Sequence, residues 1–413
     1  MRESKGAGVA GSERIMLFNT QSTGHHAEHV EHLLRHCQEL RPSAQLIPVV
    51  PPEMAENIQD DAERARAQIE VLDGDEVQHV HSQQSRWRRS IAEWTLAETY
   101  ARRLGVDHCV LLDLNWFQFA LGFSSAHDIP FTLSGIYFFP FVRLTPREHS
   151  GIEYVRQGAR YVRKWVVAGW MMRNPKIESV FVLNDPTAAE WLNERVDSSA
   201  RRVESLPDPV FALENGETAG DFRETYELDQ DRHAFLFAGT ISRRKGVIQT
   251  LKAFQKLEAD EQRRCSLVLA GRLVDEVADD VMLRVEHLRQ KTEVEVRTEF
   301  RFLSDAELHQ ALAGCDAILA PYQRTEGSSG LLGHAAQVQS PVIGPRRGLI
   351  GELIDRYELG MTVDATRNED VARALRVAVT EGIRIGDRSK EYTRDRTPKR
   401  FAECILSGDL VVG

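Results

Sequence analysis

The chain has 413 residues, 42% of them hydrophobic and 28% charged, with a formal net charge of −10. That length fits about two to three domains and that composition an ordinary globular protein. The acidic balance excludes a dedicated nucleic-acid binder, which needs a basic footprint on phosphate. The cysteines (Cys37, Cys109, Cys265, Cys315, Cys404) are scattered with no CxxC pair, so neither a zinc site nor a disulfide framework is indicated.

Residues 1–13, MRESKGAGVAGSE, are polar and glycine-rich and read as a tail, without the apolar core of a signal peptide. RIMLFNT (14–20) predicts a strand, the loop QSTG follows, and a helix starts near His25. In that helix His25, His29, His32 and His36 fall on one stripe, opposite an apolar stripe of Ala27, Val30, Leu34 and Cys37. The apolar stripe is expected to face the core and most of the histidines the solvent. HHAEH contains the H-x-x-E-H spacing of an inverted zinc-peptidase motif, but a catalytic zinc needs a buried third ligand, so no metal site is expected. Further strands are predicted in VDHCVLLDL, PFTLSGIYF and SVFVLND, with helices such as SIAEWTLAETYARRLG between them. The segment 156–173, RQGARYVRKWVVAGWMMR, clusters Arg156, Arg160, Arg163 and Lys164 on one helical face and Tyr161, Trp165 and Met172 on another. It reads as a surface helix whose aromatics enter the core, or as a basic amphipathic helix lying on an anionic membrane. VESLPDPVF (203–211), with two prolines and no periodicity, reads as a linker.

Beyond it, apolar runs alternate with amphipathic segments: AFLFAGTI, CSLVLAGRL, VEVRTEFRF, DAILAPY, SPVIGP and MTVD are separated by stretches of helical period. That order predicts a parallel sheet covered on both faces, a doubly wound α/β domain. The whole chain reads as two Rossmann-like domains, 14–205 and 206–390, facing a central cleft, with residues 391–413 supplying a last helix.

Two loops at the carboxyl ends of predicted strands carry the chemistry. FAGTISRRKGV (237–247) presents Arg243, Arg244 and Lys245 before Gly246 opens a helix. EGSSG (326–330) places Glu326 ahead of small residues at a second helix start, where unpaired amides and the helix dipole favour an anion. A diphosphate attached to a sugar satisfies cations, amides and carboxylate together.

These elements resemble the C-terminal domain of the family-4 retaining glycosyltransferases, which have the GT-B fold. The resemblance rests on G-x-x-x-x-R-K-G (239–246), the turn at Gly271 after LVLA, CDAILAPY (315–322), EGSSG and SPVIGPRRGLIGELI (340–354), over roughly residues 203–390. It implies transfer of a sugar from a UDP- or GDP-sugar to a glycan, lipid-linked or protein acceptor, with retained anomeric configuration and no required metal or cofactor. By position it implies that Lys245 binds the donor diphosphate and Glu326 the donor sugar. Gly239, Thr240, Arg243, Arg244, Gly271, Gly327, Ser328, Ser329, Gly330, Leu331 and His334 complete the donor site. It further implies that the last helix crosses back to the first domain.

This chain departs from the family in three places. Thr240 stands where many relatives have an arginine, and His334 replaces the second glutamate, which usually binds the ribose. PFTLSGIYF also lacks the histidine that many relatives place near the reacting centre. His25 is therefore the catalytic candidate in the N-terminal half, with Gly24, His26 and Asp113 on the acceptor side. The expected function is glycosyl transfer in glycan or polysaccharide biosynthesis, in the cytoplasm, with peripheral contact to the inner membrane face through 156–173. The alternative is a non-catalytic GT-B binding or scaffold protein.

Overall fold

Apolar runs alternating with amphipathic helices build two parallel sheets in the computed structural model, which describes residues 12–22, 26–123, 128–143, 151–195, 202–210 and 222–407. The chain divides into one unit of residues 1–206 with 398–413 and a second of residues 207–397.

The first unit holds β1 (Glu13–Phe18), β2 (Ala44–Val50), β3 (Glu70–Val71), β4 (His108–Leu111), β5 (Thr132–Tyr137), β6 (Ile177–Leu183) and β7 (Arg202–Leu206). They pair in the order β3-β2-β1-β4-β5-β6-β7. Pro48 removes one ladder donor from β2, which is tolerated because β3 pairs only with Val49 and Val50. The helices that bear on function here are α1 (His26–Leu40), α2 (Gly74–His81), α3 (Arg86–Leu104) and α4 (Gly151–Met171). Val30, Leu33 and Leu34 of α1 share a core with Leu17 of β1 and with Phe401, Ala402 and Ile405 of the C-terminal helix Pro398–Leu406.

Three expectations need correction in this unit. The histidine stripe of α1 does not face solvent: His29 and His32 are buried, because the C-terminal helix covers that side. The His29 ring stacks on Phe401 at 4.7 Å, and His32 meets Phe401 edge-on at 6.2 Å. The segment 203–211 is not all linker, since its first residues form β7, an edge strand paired with β6. The aromatic stripe of α4 also divides. Met171 and Met172 are core residues and Tyr161 packs on Phe141, whereas Trp165 is 52% exposed.

The second unit holds β8 (His233–Ala238), β9 (Cys265–Ala270), β10 (Glu295–Glu299), β11 (Ala317–Leu319), β12 (Val342–Pro345) and β13 (Gly360–Val363), ordered β10-β9-β8-β11-β12-β13. Every residue of β9 is buried, as its unbroken apolar run requires when helices cover both faces. The helices are α5 (Val247–Phe254), α6 (Asp275–Lys291), α7 (Asp305–Gly314), α8 (Gly330–Val338) and α9 (Gly348–Arg356). Strand order reverses between β8 and β11. Such a switch point opens a crevice outside the carboxyl ends of the two strands.

Candidate functional site

Both loops singled out in the sequence leave the strands that flank this switch point. The first follows β8, makes a short 3-10 turn at Arg243–Lys245, and passes through Gly246 into α5. Gly246 has φ +84°, and a Cβ there would run into the Pro321 carbonyl, so the glycine lets the two loops touch. Gly271, after β9, approaches the Gly239 backbone in the same way. The second loop follows β11 and enters α8 through Ser329.

Backbone and side-chain bonds lock these loops together. The Gln323 amide donates to the Arg244 carbonyl at 2.9 Å, and the Gln323 side chain donates to the carbonyls of Pro321 and Ala365, each at 2.8 Å. Tyr322 is buried, and its hydroxyl meets the Ser329 hydroxyl at 3.0 Å. Ser329 therefore turns its side chain to Tyr322 and makes no capping bond to α8. A third segment joins through Leu349, whose amide donates to the Thr325 carbonyl at 3.0 Å.

The cations at 243–245 separate by position. Arg243 is exposed and leans toward Glu276 in the first turn of α6, at 3.7 Å. Arg244 and Lys245 lie on the Tyr322 side, 5.8 and 5.7 Å from its ring centroid. Lys245 is half-buried, and its Nζ lies 2.9 Å from where a Cβ on Gly239 would be. The ammonium thus sits against the bare backbone at the end of β8, with Thr240 half-buried beside it. Glu326, Ser328, Gly330 and His334 are half-buried, and Gly327 and Leu331 are buried.

His334 lies one turn into α8 and has a partner that sequence reasoning missed. Its Nδ1 is 2.9 Å from Nε2 of His309 on α7, with the rings edge to face at 4.9 Å. His309 is 4% exposed. Burial holds its pKa below the ordinary imidazole value, with Asp305 pulling the other way. A hydrogen bond between two imidazoles requires one ring to donate and the other to accept, so the pair is stable only while at least one ring is neutral. No spacing rule couples residues 25 positions apart on different helices.

In the first unit, Asp113 follows β4 and accepts from the Asn115 amide at 3.1 Å, capping the turn Leu114–Trp116. Burial pushes its pKa up to about 7, and Glu93 adds to the rise while the Asn115 amide and Arg89 oppose it. His26 packs edge-on against Phe138 at 5.6 Å. Gly24 and His25 lie outside the described residues. Sequence reasoning also missed Glu93, although its place on the buried stripe of Ala97, Tyr100 and Leu104 was a signal, because a carboxylate there needs a partner. Among the described residues no group of three His, Cys, Asp or Glu side chains could hold a metal ion.

Residues 219–396 match the family model of glycosyl transferases group 1. Solved structures resemble the chain over nearly its whole length. The trehalose-6-phosphate phosphatase N-terminal domain of Candida albicans superposes with a TM-score of 0.69 at 12% identity, over 99% of each chain. Sucrose-phosphate synthase of Thermosynechococcus elongatus gives 0.67 at 14% identity, over 95% of this chain and 97% of that one. WaaG, a glycosyltransferase involved in lipopolysaccharide biosynthesis, gives 0.60 at 13% identity, over 95% of this chain and 99% of that one. A comparison with curated protein sequences gives no match. The two parallel sheets and these likenesses give the chain the GT-B fold. The family match spans both loops of the second-unit switch point.

Proposed function

We propose that the protein is a retaining glycosyltransferase that uses a nucleotide-sugar, UDP- or GDP-linked, without a required metal. The observation that carries this reading is that Lys245 and Ser329, at the start of α8, both lie beside Tyr322 at the β8/β11 switch point, on loops joined by the Gln323–Arg244 backbone bond. Lys245 and the α8 amides stabilise the charge that develops on the leaving diphosphate. Glu326 holds hydroxyls of the donor sugar, and His334, positioned by His309, meets the nucleoside. The diphosphate oxygen itself accepts the acceptor proton, and His25 supports that step. The acceptor is a glycan, free or lipid-linked. Reaction in the cytoplasm at the inner membrane face accords with the exposed Trp165 and Trp170 of α4. No helix among the described residues is long and apolar enough to cross a membrane.

Calorimetric titration of UDP and GDP in EDTA tests the donor site. Lys245→Ala is expected to weaken the preferred nucleotide by about tenfold or more, the loss of one charge-assisted contact. Arg243→Ala changes little, because Arg243 leans on Glu276. Undiminished affinity in the Lys245 variant removes the phosphate-site assignment.

A further inference from the structure

The first sheet also reverses its strand order, between β1 and β4, and the residues outside that point make a second polar cluster. Thr20 follows β1, is 2% exposed, and donates its hydroxyl to the Glu93 carboxylate, 2.9 Å from both oxygens. Glu93, on α3, is 1% exposed and takes Arg89 as its ion-pair partner at 3.4 Å. The Arg89 guanidinium lies over the Trp116 ring, its Cζ 3.6 Å from the centroid, and Trp116 follows β4 three residues after Asp113. His81, at the end of α2, closes the other side, with Nε2 3.3 Å from the Thr20 hydroxyl and 3.4 Å from the Gln21 side-chain amide. Glu93 and Thr20 are buried beneath the cluster, while Gln21, Arg89, Asp113 and Trp116 are half-buried and His81 is exposed.

We propose that this cluster binds the acceptor and selects a neutral, hydroxyl-rich sugar ring over a phosphorylated one. The proposal rests on the glycosyltransferase reading and names the acceptor class. Charge decides the selection. Among the described residues Arg89 is the one cation in the network, and Glu93 and the Trp116 π-face already engage it. Asp113 adds a second carboxyl group, and partial desolvation of the His81 ring, together with Arg89, holds its pKa below the ordinary imidazole value. A phosphate would meet no uncompensated positive charge in the network and would approach two carboxyl groups. Hydroxyl groups find complementary partners instead: the Gln21 amide donates or accepts, the His81 ring does either, and Asp113, with its pKa raised to about 7, does either too. Trp116 offers an apolar edge to the ring's C–H faces. Glu93 does not touch the ligand. It positions Thr20 and Arg89 from below. The further cations of α3, Arg86 and Arg88, are exposed, and a preference for sugar phosphates would mark them as the true contacts.

Saturation-transfer NMR on the full chain tests this directly, with and without saturating UDP or GDP. The probes are methyl glycosides of glucose, galactose and mannose, set beside glucose-6-phosphate and mannose-6-phosphate. Neutral sugars are expected to give transfer signals and sugar phosphates none. Trp116→Ala should reduce the neutral-sugar signal at least severalfold. Glu93→Gln, which keeps the shape but removes the charge and one acceptor oxygen, should reduce it too while nucleotide affinity stays unchanged. A melting curve for each variant confirms folding, and Gln21→Ala supplies an independent reading where Glu93→Gln unfolds. A preference for the phosphates overturns the proposal. So does a neutral-sugar signal indifferent to Trp116 and Gln21, or no sugar signal from a chain that binds nucleotide. Failure of nucleotide binding alone strikes at the donor reading instead.

Discussion

Replacing His334 by glutamate puts a carboxylate beside the buried ring of His309. In the wild-type chain burial depresses the His309 pKa, so the unfolded chain binds more protons than the folded one below about pH 6.5. This group's contribution to stability is therefore present at high pH and falls as the pH drops through that range. A carboxylate about 4 Å from the ring contributes roughly 4 kcal/mol of gross attraction at an effective dielectric of 20. Desolvation of the new charge offsets much of that, leaving about 1 to 2 kcal/mol and raising the His309 pKa. The folded variant then holds a proton that the folded wild type loses. Relative to wild type, His334→Glu should gain about 1 to 2 kcal/mol of stability between pH 8 and pH 5. In a domain of this size that is a shift of roughly 2 to 8 °C. Urea and thermal melts at both pH values measure the difference, and His309→Phe in the same background should erase it. An identical offset between variant and wild type at pH 8 and pH 5 would refute the coupling of the two rings.

Two predictions concern the first unit. Burial, reinforced by His29, Arg35 and His36, lowers the His32 pKa to about 3, so the folded chain keeps it neutral while the unfolded chain protonates below about pH 6.5. The resulting loss of stability on acidification, about 3 kcal/mol between pH 7 and pH 4, should shrink in His32→Leu, and urea melts across that range check it. For α4, sedimentation with vesicles of phosphatidylglycerol and phosphatidylcholine should show binding that falls steeply with salt and disappears in Arg160→Glu/Arg163→Glu. Absent or salt-insensitive binding would leave α4 an ordinary surface helix.

Legibility differed between the halves for physical reasons. In the second unit the strands are buried on both faces, so they appear as unbroken apolar runs, and CSLVLA could be read at sight. In the first unit β2 hides behind Pro48 and the Pro51–Pro52 pair, β3 has only two residues, and β7 carries an edge strand's mixed pattern, RVESL. Helical periodicity put His29 and His32 on one face of α1 but could not reveal that a helix from the far end of the chain covers it. The two loops at 239–246 and 326–330 were legible as well, because each follows an apolar strand, and they meet at the switch point between β8 and β11. The sequence did not show what Arg243 or His334 would touch, since Glu276 and His309 come from helices that no spacing rule connects to them.

The C-terminal helix has a consequence for how the protein is made. Phe401, Ala402 and Ile405 complete the core under α1, yet they are synthesised only after the whole of the second unit. Residues 207–397 form an unbroken segment that can fold as soon as it leaves the ribosome. The first unit must wait for the helix Pro398–Leu406. Until then the nascent first unit exposes the α1 face that Phe401 later covers, a surface open to chaperones and to self-association. A stop codon shortly before Pro398 would thus damage the unit translated first and spare the one translated second.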